Sequence, residues 1–526
     1  MFQRKTQSEK YWGTGFRFSG ADLTYLGEWV MDKGSPCTMD ELVLALIEFR
    51  IRQEDAQLRE ELSKGVLYQP QEDFTVGQRV VFPAFDFAAA TVVEVRPGAN
   101  PEHGDFKVIR VQLDGKRRTR EFAAALQTPH QLNLADGGDA LLGQADAPVP
   151  AVIKDTLAVD LDRRLTAHLQ GDSANVFVQR NGHWLLQDML ADINVGHLNI
   201  AEALIEIASQ PVTTAHLLNE FDLPSEASPE IRSFSLEYAL QEDERFDDVG
   251  AVGQAQWYLR RLEPEAAVQV PELLRYAPDA YDRASLSADL LRLEVELGDE
   301  WSDGASELEF AAPRVTVVLT YPHRRSGTLP LSSRIAQLFP STSADRTMVT
   351  LVDGRWRQRF RGWVVRRSRY IVGLDKWFEE HKIPVGAYVT LEPGPEAGEV
   401  VVDIQPRRMR REWARMGRVD GDQLVFEMRK TPIACEYDEL MVVDALGSED
   451  VARLRRTPDL RATPLEELLD GVFLELLKLS PEGKVHAKTV YSALNLLRRI
   501  PPGPVFAALL NARRYQPVGD GFWSLI

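Results

Sequence analysis

The stretch Arg245-Phe246-Asp247-Asp248-Val249-Gly250, followed by Trp257-Tyr258-Leu259, recurs at the end of the chain as Arg514-Tyr515-Gln516-Pro517-Val518-Gly519, followed by Trp523-Ser524-Leu525. In each copy an aromatic residue after Arg opens a strand and Val-Gly makes a tight turn. Trp-x-Leu then returns as a second strand, with alternate side chains on one face. A run of short amphipathic helices precedes each copy. In the first, residues 198–209 put Ile200, Leu204 and Ile207 at helical spacing, Thr213-Thr214 caps a second helix carrying Leu217 and Leu218, and Ser228-Pro229 starts a third that buries Ile231, Phe234 and Tyr238. In the second, Thr463-Pro464-Leu465-Glu466 reads as a capping box ahead of Leu468, Val472, Phe473 and Leu476; residues 487–497 and a short apolar helix over 505–514 follow.

Helices followed by a small hairpin predict a winged helix, a unit that sets one helix on nucleic acid or docks another protein. Arg245-Phe246, Val249-Gly250 and Trp257-Tyr258-Leu259, with Leu204, Leu217 and Leu240 as core, resemble the HARE-type helix-turn-helix winged domains of bacterial RNA polymerase delta subunits and of modules beside some restriction enzymes. The resemblance implies binding without naming a ligand. Two ordinary hairpins with core tryptophans would explain the same echo.

Charge separates the copies. Residues 198–262 hold twelve acids against four arginines, so the first copy repels phosphate and suits a protein partner such as RNA polymerase. From residue 483 onward Lys484, Lys488, Arg498, Arg499, Arg513 and Arg514 face only Asp520, making the second copy the nucleic-acid candidate. The whole chain carries a net charge of −18, which excludes a protein that coats nucleic acid over its full surface. Within it, residues 314–418 hold twenty cations against ten acids, while 263–311 hold thirteen acids against three arginines. That acidic neighbour is a spacer or a mask for the basic face.

The 526 residues suffice for several cores, and the polar start and the lack of a long apolar run argue against secretion and membrane insertion. Cys37 and Cys435 are too few for a disulfide framework and read as buried thiols in a reducing cytoplasm. Thr38 and Glu41 form a capping box for a helix through Leu42, Leu46, Phe49, Leu58 and Leu62 that Gly65 ends. Strands are predicted at 77–82, 90–95, 107–113 and 119–122, with Pro97-Gly98 and Asp114-Gly115 as turns. Val76-Gly77-Gln78-Arg79-Val80 and Thr91-Val92-Val93-Glu94-Val95 resemble the SH3-like barrels of KOW and related transcription and translation factors, with Lys116-Arg117-Arg118 and Arg120 as a basic loop. Residues 132–150 read as a linker, and Val176-Phe177-Val178 with Trp184-Leu185-Leu186 as a hairpin around Asn181-Gly182 whose partner is not legible.

In the basic segment, strands are expected at 315–319, 349–352, 362–366, 370–372, 388–391 and 400–404, and helices near 332–338 and 374–381, suggesting a closed pseudobarrel. Leu329-Pro330-Leu331-Ser332-Ser333-Arg334, Gly362-Trp363-Val364 and Val385-Gly386-Ala387-Tyr388-Val389 resemble the pseudobarrel DNA-binding domains of plant auxin-response factors and restriction-enzyme effector modules. Those domains commonly have Gly-Asp where this chain has Gly386-Ala387. The run 355–363 places Arg355, Arg357, Arg359 and Arg361 on one strand face, with Trp356 and Phe360 on the other, and Arg366, Arg367 and Arg369 extend it. A solvated edge strand guarded by arginines accounts for the same pattern. Arg407, Arg408, Arg410 and Arg411, with Arg415 and Arg418, read as a helix or arm that lies along a phosphate backbone or pairs with the acidic connector.

Catalytic signals are poor. The nine histidines are dispersed, Gly483-Lys484 lacks the rest of a P-loop, and a turn explains Asp114-Gly115-Lys116 more simply than a nuclease motif does. The expectation is a multidomain α+β protein without cofactor or metal. Its parts are an N-terminal helical segment (1–70), an SH3-like barrel (71–131), a linker with a small α/β or hairpin region (132–195) and an acidic winged helix (196–262). An acidic connector (263–311), a basic pseudobarrel (312–418), a connecting region (419–462) and a basic winged helix (463–526) complete it. The expected function is nucleic-acid binding, DNA rather than RNA, connected with transcription regulation. The alternative is an interaction scaffold or accessory subunit that docks RNA polymerase or a restriction or defence complex.

Overall fold

The computed structural model describes residues 4–115, 119–133, 149–171, 176–221, 227–251, 253–302, 314–340, 342, 344–396 and 398–526. The expected basic loop at 116–118 and most of the expected linker lie outside them. The protein is a mixed α+β chain that divides into two compact units, Met1–Ile193 with Leu223–Tyr238, and Asn194–Asp222 with Ala239–Ile526. The helix Pro229–Glu242 is shared between them.

In the first unit Thr38 caps the helix Met39–Ser63, accepting from the Glu41 N–H while the Glu41 carboxylate accepts from the Thr38 N–H. That helix packs Leu42, Leu46 and Ile47 into a core with Trp12, Leu26, Leu165 and Trp184, which also takes Ile231 and Phe234. The hairpin Phe177–Arg180 and His183–Leu186 finds its third strand in Cys37–Thr38, which ends on the helix cap. A separate five-stranded sheet runs in the order Val66–Leu67, Arg79–Phe82, Ala88–Pro97, Lys107–Leu113, Thr119–Ala124. The N–H groups of Ala125 and Leu126 donate to the carbonyls of Glu72 and Pro70, both at 2.8 Å, so the end of the last strand is tied to the chain between the first two. Tyr68, Phe82 and Phe122 fill the interior.

In the second unit the two sequence echoes share one strand order. Phe246–Asp248 pairs with Gln256–Leu259, which pairs with Val212–Thr213; Tyr515–Gly519 pairs with Phe522–Leu525, which pairs with Lys484–His486. Trp257 stands opposite Val212 and Trp523 opposite Val485, and both tryptophans are buried. The expected helix face in the first copy is out of phase. Helix Val195–Ala208 buries Ala201 and Ile205, while Ile200 and Ile207 are 44% and 82% exposed. Around Thr463 the capping box is absent: helix Leu465–Leu477 starts after Pro464, and Thr463 Oγ1 donates to the Asp459 carbonyl instead.

A seven-stranded sheet follows the order Val315–Val318, Tyr388–Pro393, Glu399–Ile404, Arg346–Asp353, Arg359–Val365, Tyr370–Val372, Thr328–Pro330. All neighbours are antiparallel except Arg346–Asp353 with Glu399–Ile404. Thr328–Pro330 is an edge strand not foreseen in the sequence. Gly327, left-handed at φ 65, ends the helix Tyr321–Ser326 and turns the chain into it.

The largest departure from expectation lies at 406–435. Pro406–Asp420 and Gln423–Cys435 form one long antiparallel ribbon joined at Gly421-Asp422, with Gly421 at φ 63, and Val442–Leu446 pairs in parallel along the first strand. Ala414, Met416 and Ile433 on one face join the sheet core. Leu424 and Phe426, on the other face near the turn, join the core of the C-terminal helices. Gly417 allows the close approach there, since a Cβ would come 2.8 Å from Leu496 Cδ2 and push that side chain aside.

Candidate nucleic-acid interface

Apart from its tip at 420–423, the exposed part of the ribbon is the half away from its turn. In an antiparallel pair directly opposed residues share a face, so Arg411 with Pro432, Trp413 with Lys430, and Arg415 with Met428 line one surface. Trp413 is 61% exposed, Met409 and Met428 are also exposed, and Lys430 Nζ lies 5.3 Å from the Trp413 ring centroid. Arg408, Arg410, Arg411, Arg429 and Lys430 are exposed and have no carboxylate within 4 Å among the described residues. Arg407 is committed to Glu412 and to the Tyr437 ring, and Arg415 donates to the Glu439 carbonyl. Residues 407–411 are therefore strand, not a helix or arm, because the chain pairs with Gln423–Cys435 and Ala414 and Met416 just beyond them enter the core.

A second exposed group sits nearby in the chain path. The expected stripe of four arginines is broken, because the strand ends at Asp353 and resumes only at Arg359. Arg355 and Arg357 lie in the connecting turn, Arg357 with φ 58, and Trp356 is 46% exposed rather than in the core. The Asp353 carboxylate builds this turn: Oδ1 accepts from the N–H groups of Arg355 (2.8 Å) and Trp356 (3.2 Å), and Oδ2 pairs with His381 Nε2 at 2.6 Å. Burial pushes the Asp353 pKa up, but these bonds outweigh it and hold the group below its ordinary value. The His381 ring in turn stacks under Trp356 with centroids 4.1 Å apart. The Gly354 N–H donates to the Val402 carbonyl, which brings the turn to the end of the strand that leads into the ribbon. Asp353→Ala is expected to destabilise the second unit by about 2 kcal/mol, read from urea unfolding, because it orphans two turn N–H groups and the buried histidine.

The remaining predicted cations divide sharply. Arg359 is held by Glu399 (2.6 Å) and Glu396 (2.9 Å), whereas Arg361 beside it is exposed without an acid partner among the described residues. Arg366 reaches the Pro340 carbonyl, and Arg369 lies over Trp301 and donates to the Glu300 carbonyl; Arg367 is exposed, its backbone N–H bonded to Asp345. At the C-terminus the predicted cluster does not form a surface. Lys488 is buried between Asp438 (3.0 Å) and Glu296 (2.7 Å). Burial pulls its pKa down, and the two carboxylates more than offset that. Arg499 is buried on Asp299 (2.7 Å) and Glu300 (2.8 Å). Arg498 donates to the Thr463 carbonyl, Lys484 pairs with Glu482, and Arg514 pairs with Asp470, which leaves Arg513 exposed. Helix Ala487–Leu497 is buried on all sides and Pro502–Asn511 over most of its length, so neither offers a face to a groove.

The acidic connector explains much of this. Its Glu263 pairs with Arg346, Glu272 with Arg456, Glu296 with Lys488, and Asp299 and Glu300 with Arg499. It is an internal counter-charge along which the second unit is assembled. Asp247 of the first echo likewise pairs with Arg346, and Tyr258 meets Trp363 of the seven-stranded sheet at 5.8 Å between centroids. Cys37 and Cys435 are buried free thiols, their pKa values pushed up to about 12 and about 11 by burial. Among the described residues no group of His, Cys, Asp and Glu is placed to hold a metal ion, and no helix is long and apolar enough to cross a membrane. Comparison with protein-family models, with curated proteins and with solved structures finds no match for this chain.

Proposed function

We propose that the protein binds nucleic acid, DNA in the first instance, through the outer half of the 406–435 ribbon, and that it acts by binding rather than catalysis. The observation that carries this reading is Trp413, an exposed indole that shares its strand face with Arg411 and Lys430, with Arg408 and Arg410 exposed on the same half of the ribbon; none of these cations has an acid partner among the described residues. Cations neutralise phosphates, and an exposed ring offers a stacking platform to an unstacked base. Trp356 with Arg355 and Arg357 supplies the same pair of chemistries at the adjoining turn.

The finer fold assignments belong to the same proposal. The shared strand order of the two echoes supports a winged-helix reading of each, the tied five-stranded sheet supports an SH3-like barrel, and the seven-stranded sheet supports a pseudobarrel. In this reading the winged units are scaffold, with Lys488 and Arg499 assigned to internal ion pairs, and the ribbon replaces them as the nucleic-acid contact. A role in transcription in a reducing cytoplasm accords with the two buried thiols.

The exposed Met409 and Met428 beside an edge strand favour a second reading, in which the ribbon docks an acidic protein such as an RNA polymerase subunit. Labelled single- and double-stranded oligonucleotides titrated with the full chain across a salt series separate the two. Nucleic-acid contact predicts binding that weakens steeply with salt, with a log–log slope of about −3 to −4 for four to five phosphate contacts. Absence of binding at 50 mM salt would leave the protein-docking reading.

A further inference from the structure

Two cavities in the second unit, of about 230 Å³ and about 340 Å³, share Arg455 and Glu272 in their walls. Arg275, Arg498 and Arg499 complete the cationic lining of the first, and Arg325 and Arg456 that of the second. Glu272 and Glu449 are the only acids in the two linings among the described residues. Half of the arginines are already committed: Arg499 to Asp299 and Glu300, Arg456 to Glu272, and Arg498 to the Thr463 carbonyl with Asp279 at 4.0 Å. Arg275, Arg325 and Arg455 have no carboxylate within salt-bridge distance among the described residues.

Arg455 is the distinctive member. It ends the helix Ser448–Arg455, and its Nη1 donates to the carbonyls of Asn495 (3.0 Å) and Leu496 (2.9 Å). Those bonds use one nitrogen of three; Nε and Nη2 have no protein acceptor among the described residues. Burial drives its pKa down to about 10, against the pull of Tyr321 and Glu272. Arg455 is only partly withdrawn from water, so Nε and Nη2 remain open to an anion in the cavity, and a guanidinium in that position gains from such a partner. The planar N–H fork matches the oxygens of a phosphate, and two cavities joined through one arginine match a ligand with more than one such group. We propose that these cavities form a binding site for a small polyphosphate anion, with Arg455 shared between its phosphate groups and Arg275 and Arg325 at its two ends.

The test is isothermal titration calorimetry of the full chain at low salt with inorganic triphosphate and, separately, with monophosphate. The expected result is one triphosphate per chain, bound at least ten times more tightly than monophosphate. Arg455→Gln should lower the triphosphate affinity at least tenfold. Because that change also removes a helix-end contact, the surface variants Arg275→Ser and Arg325→Ser provide an independent measure, each expected to weaken binding several-fold in a folded chain. Arg52→Ser, on the exposed surface of helix Met39–Ser63, should leave triphosphate affinity unchanged. No triphosphate binding to the unsubstituted chain overturns the proposal, as does an affinity indifferent to both surface variants or equally reduced by Arg52→Ser.

Discussion

Arg499→Ala should destabilise the second unit by about 3–5 kcal/mol, enough to unfold it under mild conditions, because it leaves Asp299 buried without a counter-charge and Glu300 with His323 alone. Arg499 is completely withdrawn from water and bonds to four groups: Asp299 Oδ2, Glu300 Oε1, Asn495 Oδ1 and the Ile500 carbonyl. Tyr491 donates to the same Asp299 oxygen, and His323 Nε2 pairs with the other oxygen of Glu300 at 3.0 Å. Arg499→Lys should rescue little, since an ammonium cannot span both carboxylates and both oxygen acceptors from one position. The pH dependence has a defined sign. For Glu300, burial raises the pKa, but Arg499 and His323 outweigh it and hold the group at about 2 against an ordinary 4.5. Its share of stability is therefore fully present above about pH 4.5 and is lost as the pH falls through about 2. Asp299 shifts the other way, upward, through burial and the neighbouring Glu300 charge against the pull of Arg499. Of the two it takes a proton first. Urea midpoints of the native chain and the two variants, measured at pH 7 and pH 4, check both statements; a midpoint unchanged in Arg499→Ala would remove the network from any structural role.

That network also marks where sequence reasoning stops. Arg498-Arg499 reads as a basic doublet in a positive segment, and the acids that claim Arg499 are two hundred residues upstream in a stretch that looks like a spacer. Local charge counting cannot assign partners across such a separation. Periodicity fared better where one face is simply buried. The capping box at Thr38, the turn at Asn181-Gly182 and the matched Trp257 and Trp523 were all legible, because each depends on residues a few positions apart. In helix Val195–Ala208 the apolar residues Ala201 and Ile205 form the buried stripe although Ile200, Leu204 and Ile207 present an equally good helical pattern. When isoleucine and leucine occupy nearly every turn position, composition cannot set the phase.

The ribbon was missed for a related reason. Arginine-rich sequence suggests a helix or arm, and the strand alternation of 406–420 is masked because its even face holds only Ala414 and Met416 as buried apolar residues. The available signal was Gly421-Asp422, a dipeptide suited to a two-residue hairpin turn, between Arg418-Val419 and Leu424-Val425-Phe426. The broken stripe at 355–361 has a different cause. Asp353 binds two backbone N–H groups ahead of it and so ends the strand by a side-chain turn, a competition with the ladder that aspartate commonly wins.

Replacing Arg408, Arg410, Arg411 and Lys430 together by Ser is expected to lower nucleic-acid affinity about 100-fold at low salt and to flatten the log–log salt slope by about 3, since each lost phosphate contact removes about 0.7 to 0.9 from it. All four side chains are exposed and none has a carboxylate within 4 Å among the described residues, so the fold should tolerate the change, with a urea midpoint near that of the native chain. Trp413→Ala should act through the other term. Loss of the ring should weaken single-stranded probes by about 1–3 kcal/mol while leaving the salt slope intact, because stacking releases no counterions. The pair of slopes distinguishes charge from stacking within the outer half of the ribbon. A folded quadruple variant that binds as tightly as the native chain would exclude the ribbon and turn attention to Arg355, Arg357 and Arg361, the exposed cations of the adjoining strand and turn.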